Sequence, residues 1–434
     1  MNAPDKRPRV VIIGAGFGGI AVAKALAKVA VDVEIIDKRN YHLFQPLLYQ
    51  VATADLSPAD IAWPIRGIFA RQKNVTVTLS KVLDIDTANR AVIHENGRAD
   101  YDHLVIACGS SHSYFGQDEW GQHAPGLKRI VDATEVRRRV LMAFERAELC
   151  EDPADQAREL TFAVVGAGPT GVEMAGAIAE LAHVTLSQDF RRIYSGNARI
   201  LLIEGGPRVL SAFPEDLSAK AQASLEALGV EVRLNTMVEN MGEDYVVAGG
   251  EVIPAATKVW AAGVKVENLS RWLGVETDRI GRVDVTGDLT VPNMPEISVI
   301  GDAARVPWTD GNDVPGIAPA AKQMGKYTGK RLAALLTGQR APAPFRYRHL
   351  GNLATIGRNS AIISMGRFKL SGFFAWVLWG IVHIYFLIGV KRPLFVALNW
   401  FSNYVFRSKG ARLITGMESL RKTRTGVTTN SDAA

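Results

Sequence analysis

Apolar positions first gather in Arg9–Ile13, a run too short for a helix, which stops at Gly14. Ala, Val and Leu then recur at helical intervals over Ile20–Val29, and Val33–Ile36 is a second short run ending at Asp37. Strand, glycine turn, helix and strand make one β-turn-α-β unit. The pattern returns 152 positions later, with a strand over Leu160–Val165, a helix over Val172–Leu181 and a strand over Ile200–Ile203 that ends at Glu204. The chain thus holds two copies of one unit. Short runs at Val75–Leu79, Ala91–His94 and Leu104–Ala107 follow the first copy. Others at Val230–Leu234, Val259–Ala261 and Ile297–Ile300 follow the second. Strands alternating with helices predict an α/β fold with two Rossmann-like domains on parallel sheets. Asp152–Arg158 is polar enough for an interdomain connection, and Ala341–Pro344 reads as a linker.

From Arg346 onward the character changes. That stretch carries 13 Lys and Arg against 2 Asp and Glu, although the whole chain of 434 residues is only +6. Of the 34 Phe, Trp and Tyr residues, 12 fall between Phe368 and Phe406. Basic, aromatic and apolar character together suits a membrane surface rather than nucleic acid. Leu370–Val390 is 21 residues without a formal charge, near the ~20 that cross a bilayer as a helix. Cations flank it at Arg367, Lys369, Lys391 and Arg392, and a second apolar segment runs from Leu394 to Phe406. A span, a buried core helix and an in-plane anchor all fit this pattern. Cations at both ends favour the in-plane arrangement. Ending the chain near Ala361 is expected to free it from membranes while sparing the rest. The polar N-terminus leads straight into a strand without a secretory signal, which suggests the cytoplasmic face of the inner membrane.

The candidate chemistry lies in the glycine turns. In Gly14-Ala-Gly16-Phe-Gly18-Gly19, Gly14 makes the turn, Gly16 lets a pyrophosphate approach the backbone, and Gly19 lets helix and sheet close up. Asp37 is placed to accept from a ribose. The second turn is Gly166-Ala-Gly168-Pro-Thr170-Gly171, with Glu204 in the matching position, 33 residues beyond Gly171 because of an insertion around His183–Asn197. A carboxylate there favours NADH and repels the 2′-phosphate of NADPH, although Arg208 lies close by. Glu173 follows the second turn. It could line a nicotinamide pocket, relay a proton, or simply favour a helix N-terminus. Two dinucleotide sites suggest FAD plus a pyridine nucleotide. Gly301-Asp302 after the 297–300 strand would then return to the flavin, with Asp302 on its ribityl chain and a helix beginning near Ala320 aimed at the ring. Two cysteines, Cys108 and Cys150, exclude a four-thiolate cluster, a disulfide framework and a C-x-x-C pair. Cys108 reads as a core residue. His42 and His112 are candidate pocket residues, more simply structural. No metal-ligand cluster is apparent.

These residues resemble the type II, non-proton-pumping NADH:quinone oxidoreductases. Asp37-Lys38-Arg-Asn-Tyr-His-Leu-Phe-Gln45-Pro46 and the residues to Thr53 are similar to that family's segment beneath the flavin. His112–Trp120 is similar to its interdomain crossing, Trp260-Ala-Ala262-Gly263-Val264 to its nicotinamide-side loop, and Trp379–Val390 with Arg407–Thr415 to its membrane-anchoring end. The resemblance implies FAD and NADH as cofactors, transfer of two electrons to a membrane quinone, and a homodimer. It places Ala318, Ala320, Lys322 and Gln323 at the quinone, with Pro319 standing where many members have a glutamine. The expected domains are 1–115 and 291–340 for FAD, 116–290 for NADH, 345–416 for the anchor, and a tail at 417–434. A membrane-associated redox sensor, or another pyridine-nucleotide flavin reductase of this fold, is the alternative. Sulfide:quinone and disulfide reductases would need paired reactive cysteines.

Overall fold

In the computed structural model, residues 7–309, 311–386, 396, 400 and 411–415 are described. Strand Arg9–Ile13 lies at the middle of a six-stranded sheet. Its order is Thr290–Val291, Met294–Val299, His103–Ile106, Arg9–Ile13, Asp32–Asp37 and Val75–Leu79. All neighbours run parallel except the first pair. Val10–Ile13 pair with Val33–Ile36 on one side and His103–Ile106 on the other, so this central strand is buried throughout and reads as a continuous apolar run. Each such Ile or Val taken fully from water contributes about 1.5–3 kcal/mol. Helix Phe17–Ala25 follows the first turn and packs along helix Ala318–Leu336. Their approach is set by small residues. A Cβ on Gly325 would overlap the Gly18 carbonyl, and one on Gly329 would meet Ala25 Cβ at 2.5 Å.

The second sheet is fully parallel, in the order Val230–Arg233, Arg199–Ile203, Thr161–Val165 and Thr257–Trp260. Helices Pro169–Glu180 and Glu215–Ala227 pack on it, and an antiparallel meander, Val238–Met241, Tyr245–Ala248 and Glu251–Pro254, follows its third strand in sequence.

The chain forms two compact units. The first comprises the described residues up to Phe44, Ala62–Ser113 and Gly263–Gly351; the second comprises Gln45–Ile61, Tyr114–Ala262 and the described residues from Asn352 onward. The return to the first unit therefore comes at Gly263 rather than near 291. Val264 and Lys265 pair with His112 and Ser111, and Val266, Leu269 and Trp272 join the first core. Residues 45–61, expected in the first domain, belong to the second unit because helix Leu48–Ala52 packs on helices Ile130–Leu149 and Pro169–Glu180. Asp152–Arg158 is not a connection. Asp152 caps a helix, Pro153–Glu159, by accepting from Ala154 N at 2.9 Å, and Pro153 suits its first turn.

The C-terminal region also differs from the reading above. Asn352–Thr355, Ala361–Met365 and Phe368–Gly372 form an antiparallel sheet. Leu370 is thus in a strand opposite Ile363, and the helix begins only at Phe373. That helix is described to Phe386; Leu387–Val390 and most of Leu394–Phe406 lie outside the described residues. Among the described residues, no helix is long and apolar enough to cross a membrane. Ending the chain at Ala361 would cut into a strand whose Ala361, Ile362 and Ile363 are buried, so that truncation also removes part of a core.

Candidate functional site

In the first unit the strand ends and Gly14 turns back with φ +98°, where a Cβ would strike the Ala107 carbonyl. A Cβ on Gly19 would overlap the Gly14 oxygen. Gly16, by contrast, has nothing within 4 Å of its would-be Cβ. The loop is therefore closed on the protein side and open on the other, as a backbone that receives a pyrophosphate must be. Asp37 braces it: Oδ2 accepts from Ala15 N at 2.7 Å and Oδ1 from Arg39 N at 2.8 Å. Each oxygen keeps a further lone pair for a hydroxyl.

The second unit repeats this construction. Gly166 has φ +97° and a would-be Cβ 2.8 Å from Ala262 N, Gly171 closes on the Gly166 oxygen, and Gly168 is open. Glu204 takes Ala167 N at 2.6 Å and Gly206 N at 2.8 Å. Thr170 lies in the first turn of the helix behind the loop. The protein itself engages both terminal nitrogens of Arg208. Nη1 donates to the Phe213 carbonyl at 2.7 Å and to Ser218 Oγ at 3.3 Å, and Nη2 donates to the Ser211 carbonyl at 2.9 Å.

The returning segment of the first unit forms a short turn, Gly301–Ala303, after strand Met294–Val299. Asp302 accepts from Ser110 Oγ at 2.7 Å. Helix Ala318–Leu336 carries Pro319 in its first turn, where the missing N–H costs nothing, so Pro319 fits the helix start that the resemblance assigns to a glutamine. Ala320 is buried, and Ala318 and Lys322 are partly exposed. Burial, with the charges of Lys326 and Lys24, lowers the Lys322 ammonium. Both polar ends of the Gln323 amide engage Arg348: Nε2 donates to its carbonyl at 2.9 Å, and Oε1 accepts its N–H at 3.1 Å. Lys38 is exposed. Gln45 and Pro46 share a 3₁₀ turn of the second unit, where Gln45 Nε2 donates to the Lys128 carbonyl at 3.1 Å. Ala262 ends the second unit's stretch and Gly263, with φ +73°, begins the first unit's return.

Glu173, on helix Pro169–Glu180, accepts from the Thr355 backbone, yet burial pushes its carboxyl up to about 8. Cys108 is not a core residue. The strand stops at Ile106 and the Cys108 side chain is exposed. His42 is buried. Its Nδ1 contacts the Ala15 carbonyl at 2.9 Å, and a carbonyl only accepts, so Nδ1 carries the hydrogen. Nε2 is left as a buried acceptor without a partner against the first loop, and burial lowers the ring to about 4. An open pyrophosphate cradle, a braced carboxylate and this orphan acceptor together fit an adenine dinucleotide in the first unit. Sequence reading did not single out Tyr49, Gln50 or Trp400, which form a hydrogen-bonded line.

The profile of the pyridine nucleotide-disulphide oxidoreductase family matches residues 8–325, and that of the NDH2 C-terminal domain matches 349–408. The type II NADH:quinone oxidoreductase Ndh of Mycobacterium tuberculosis is 44% identical, over 97% of this chain and 93% of its own. A probable NADH dehydrogenase of Dictyostelium discoideum is 30% identical over 92% of this chain and 90% of its own. Among solved structures, NDH2 of Plasmodium falciparum in complex with NADH superposes with a TM-score of 0.85 at 20% identity, covering 95% of this chain and all of that one. Shared sequence across nearly the full length of both chains, on two glycine loops of one geometry, places this protein in the type II NADH:quinone oxidoreductase family of pyridine nucleotide-disulphide oxidoreductases.

Proposed function

We propose that this chain oxidises NADH, with FAD as its resident cofactor, and passes two electrons to a membrane quinone without pumping protons. The observation that carries this reading is the pair of matching loops, one in each unit, each open at its middle glycine and braced by an acid. We assign the Gly14–Gly19 loop, Asp37 and Asp302 to FAD. The Gly166–Gly171 loop and Glu204 go to NADH. When bound, FAD supplies the two-electron chemistry that no side chain here offers. The chain supplies position and charge. Asp37 and Glu204 orient the ribose groups, and Glu173 holds a proton at neutral pH that a quinone oxygen needs on reduction. A redox sensor of the same fold would bind both cofactors but turn over slowly. Steady-state NADH oxidation with and without a short-chain quinone separates the two. Quinone-dependent turnover of at least about 1 s⁻¹ supports the enzyme, and turnover unchanged by quinone contradicts it.

Glu204 sets the nucleotide preference. Its carboxylate repels a 2′-phosphate, and Arg208 is held by the Phe213 and Ser211 carbonyls. NADH is expected to give the higher kcat/KM. Glu204→Ala is expected to lower the NADH:NADPH ratio of kcat/KM about tenfold, the loss of one charge-assisted hydrogen bond. A ratio that stays put would remove Glu204 from this role.

Membrane attachment rests on the last described helix. Ala375 and Trp379 are buried, while Phe374, Val377, Ile381 and Tyr385 are exposed along one face. Such an apolar stripe with basic flanks suits the plane of a bilayer interface. Replacing Phe374, Ile381 and Tyr385 by Ser is expected to reduce flotation with anionic vesicles more than about tenfold, with FAD content unchanged. Equal flotation would place the attachment elsewhere. Pairing of two copies, which the resemblance implies, is read by sedimentation of the same preparations.

A further inference from the structure

Glu204 follows strand Arg199–Ile203 of the second unit, and the stretch that leaves strand Val230–Arg233 runs alongside it. Thr236 N donates to the Glu204 carbonyl and Asn235 N to the Gly206 carbonyl, both at 2.9 Å. Asn235 takes φ +51°, a left-handed conformation that asparagine adopts more readily than most side chains. From the other side Gly249 N, in the two-residue Gly249-Gly250 turn of the meander, donates to the Met237 carbonyl at 3.1 Å. The backbone at Met237 is thereby fixed from two directions, while its side chain is 65% exposed. That exposed thioether has a definite place. A Cβ on Gly205 would overlap Met237 Sδ, so the sulfur fills the space that a side chain at 205 would take, directly after the acid. Glu204 itself is bound to Ala167 N of the second glycine loop through Oε2 and to Gly206 N through Oε1.

We propose that Met237 contacts the adenine ring of NADH and is, with Glu204, a determinant of the preference for NADH. The inference rests on the assignment of the second loop and Glu204 to that nucleotide. A ribose whose hydroxyls are held by Glu204 sends its C5′ side to the pyrophosphate on the glycine loop. Its C1′, one bond from the hydroxyl-bearing C2′, carries the adenine away from that loop. The sulfur over Gly205 stands within one sugar of the gripping carboxylate, on the side the loop does not occupy. A polarisable thioether is a favourable neighbour for a purine ring, and it offers a 2′-phosphate neither charge nor donor. Gly205 belongs to the device, because only a residue without a Cβ leaves the sulfur where it is.

The test uses the FAD-loaded, full-length enzyme and compares NADH with reduced nicotinamide mononucleotide, which carries the hydride but lacks the adenosine half. Met237→Ala is expected to raise KM for NADH about fivefold with kcat unchanged, the mark of a contact kept equally in ground and transition states. Its kcat/KM for the mononucleotide should stay within about twofold of the parent's. Binding of ADP-ribose, read by calorimetry without turnover, should weaken by about the same fivefold. Met237→Leu keeps the apolar bulk and should restore most of both losses. Gly205→Ala displaces the sulfur and should mimic Met237→Ala, and the two together should cost less than the product of their separate effects. Met237→Arg puts a guanidinium beside the ribose and should raise the NADPH:NADH ratio of kcat/KM about tenfold. Unchanged KM and ADP-ribose affinity in flavin-replete Met237→Ala, or an equal loss with the mononucleotide, overturn the proposal. ADP-ribose binding that survives Glu204→Ala undiminished overturns the assignment of the second loop beneath it, so the two failures are distinct.

Discussion

Gly19→Ala is expected to yield folded protein without yellow colour and without NADH oxidation, at least about 10³-fold below the parent. The added methyl would occupy the space of the Gly14 carbonyl oxygen, a backbone atom fixed by the turn out of strand Arg9–Ile13. Neither partner can yield by a rotamer change. The loop must open, the helix N-terminus must leave its place, and the N–H groups that would hold a pyrophosphate disperse. Gly16→Ala is the informative companion. Its methyl meets nothing in the protein within 4 Å, so any loss of flavin there reports the ligand's own approach rather than a damaged fold. Absorbance in the flavin band, together with far-ultraviolet circular dichroism, reads both variants. Gly19→Ala protein with full flavin content would mean that this loop is not the FAD cradle.

Glu173→Gln is expected to slow the quinone step about 10²-fold, the ordinary contribution of one positioned proton donor. Glutamine keeps the size and the acceptor toward the Thr355 backbone but has no proton to give. The pH dependence has a definite sign. Glu173 is raised by burial from 4.5 to about 8, so at pH 7 the folded enzyme holds the proton. The step is then fast below about 8 and declines as pH rises through it. Stability follows the same sign: between 4.5 and 8 the folded state binds more protons than the unfolded chain, so stability falls with rising pH. Glu173→Gln removes this dependence, and its melting temperature should gain on the parent's as pH increases from 5 to 8. A quinone step equally fast in both proteins at pH 7 would take Glu173 out of the reaction.

The two loops were legible because their chemistry is local. Gly14, Gly16 and Gly19 act within six residues, and a strand's end fixes where Asp37 falls, so spacing alone carries the information. The position of Glu204 at a strand's end was read the same way, across an insertion around His183–Asn197. What escaped notice depends on contacts remote in sequence. Nothing in Gln45–Ile61 announces that helix Leu48–Ala52 packs on helices that begin at Ile130 and Pro169. Trp400 and Gln50 are 350 positions apart, and only the fold brings indole to amide. Leu370–Gly372 was misread because an uncharged run has the same composition in a strand as in a helix. Pairing with Ala361–Ile363 decides it. Asp152-Pro153 did carry a legible signal, an N-cap before a first-turn proline, which the polarity of the stretch obscured.

Gln323 shows how a motif constrains position without fixing engagement. The residue is present where the family's pattern places it, yet its amide closes on the Arg348 backbone at both ends. Engaging anything else through Gln323 requires breaking one of those bonds.

Anaerobic stopped-flow mixing of the purified protein with NADH, then with quinone, tests the central claim most directly. The account requires a flavin absorbance that bleaches on the first mixing and returns on the second, with one NADH consumed per quinone reduced. Protein that carries no flavin, or a flavin band that NADH leaves unbleached, would contradict it.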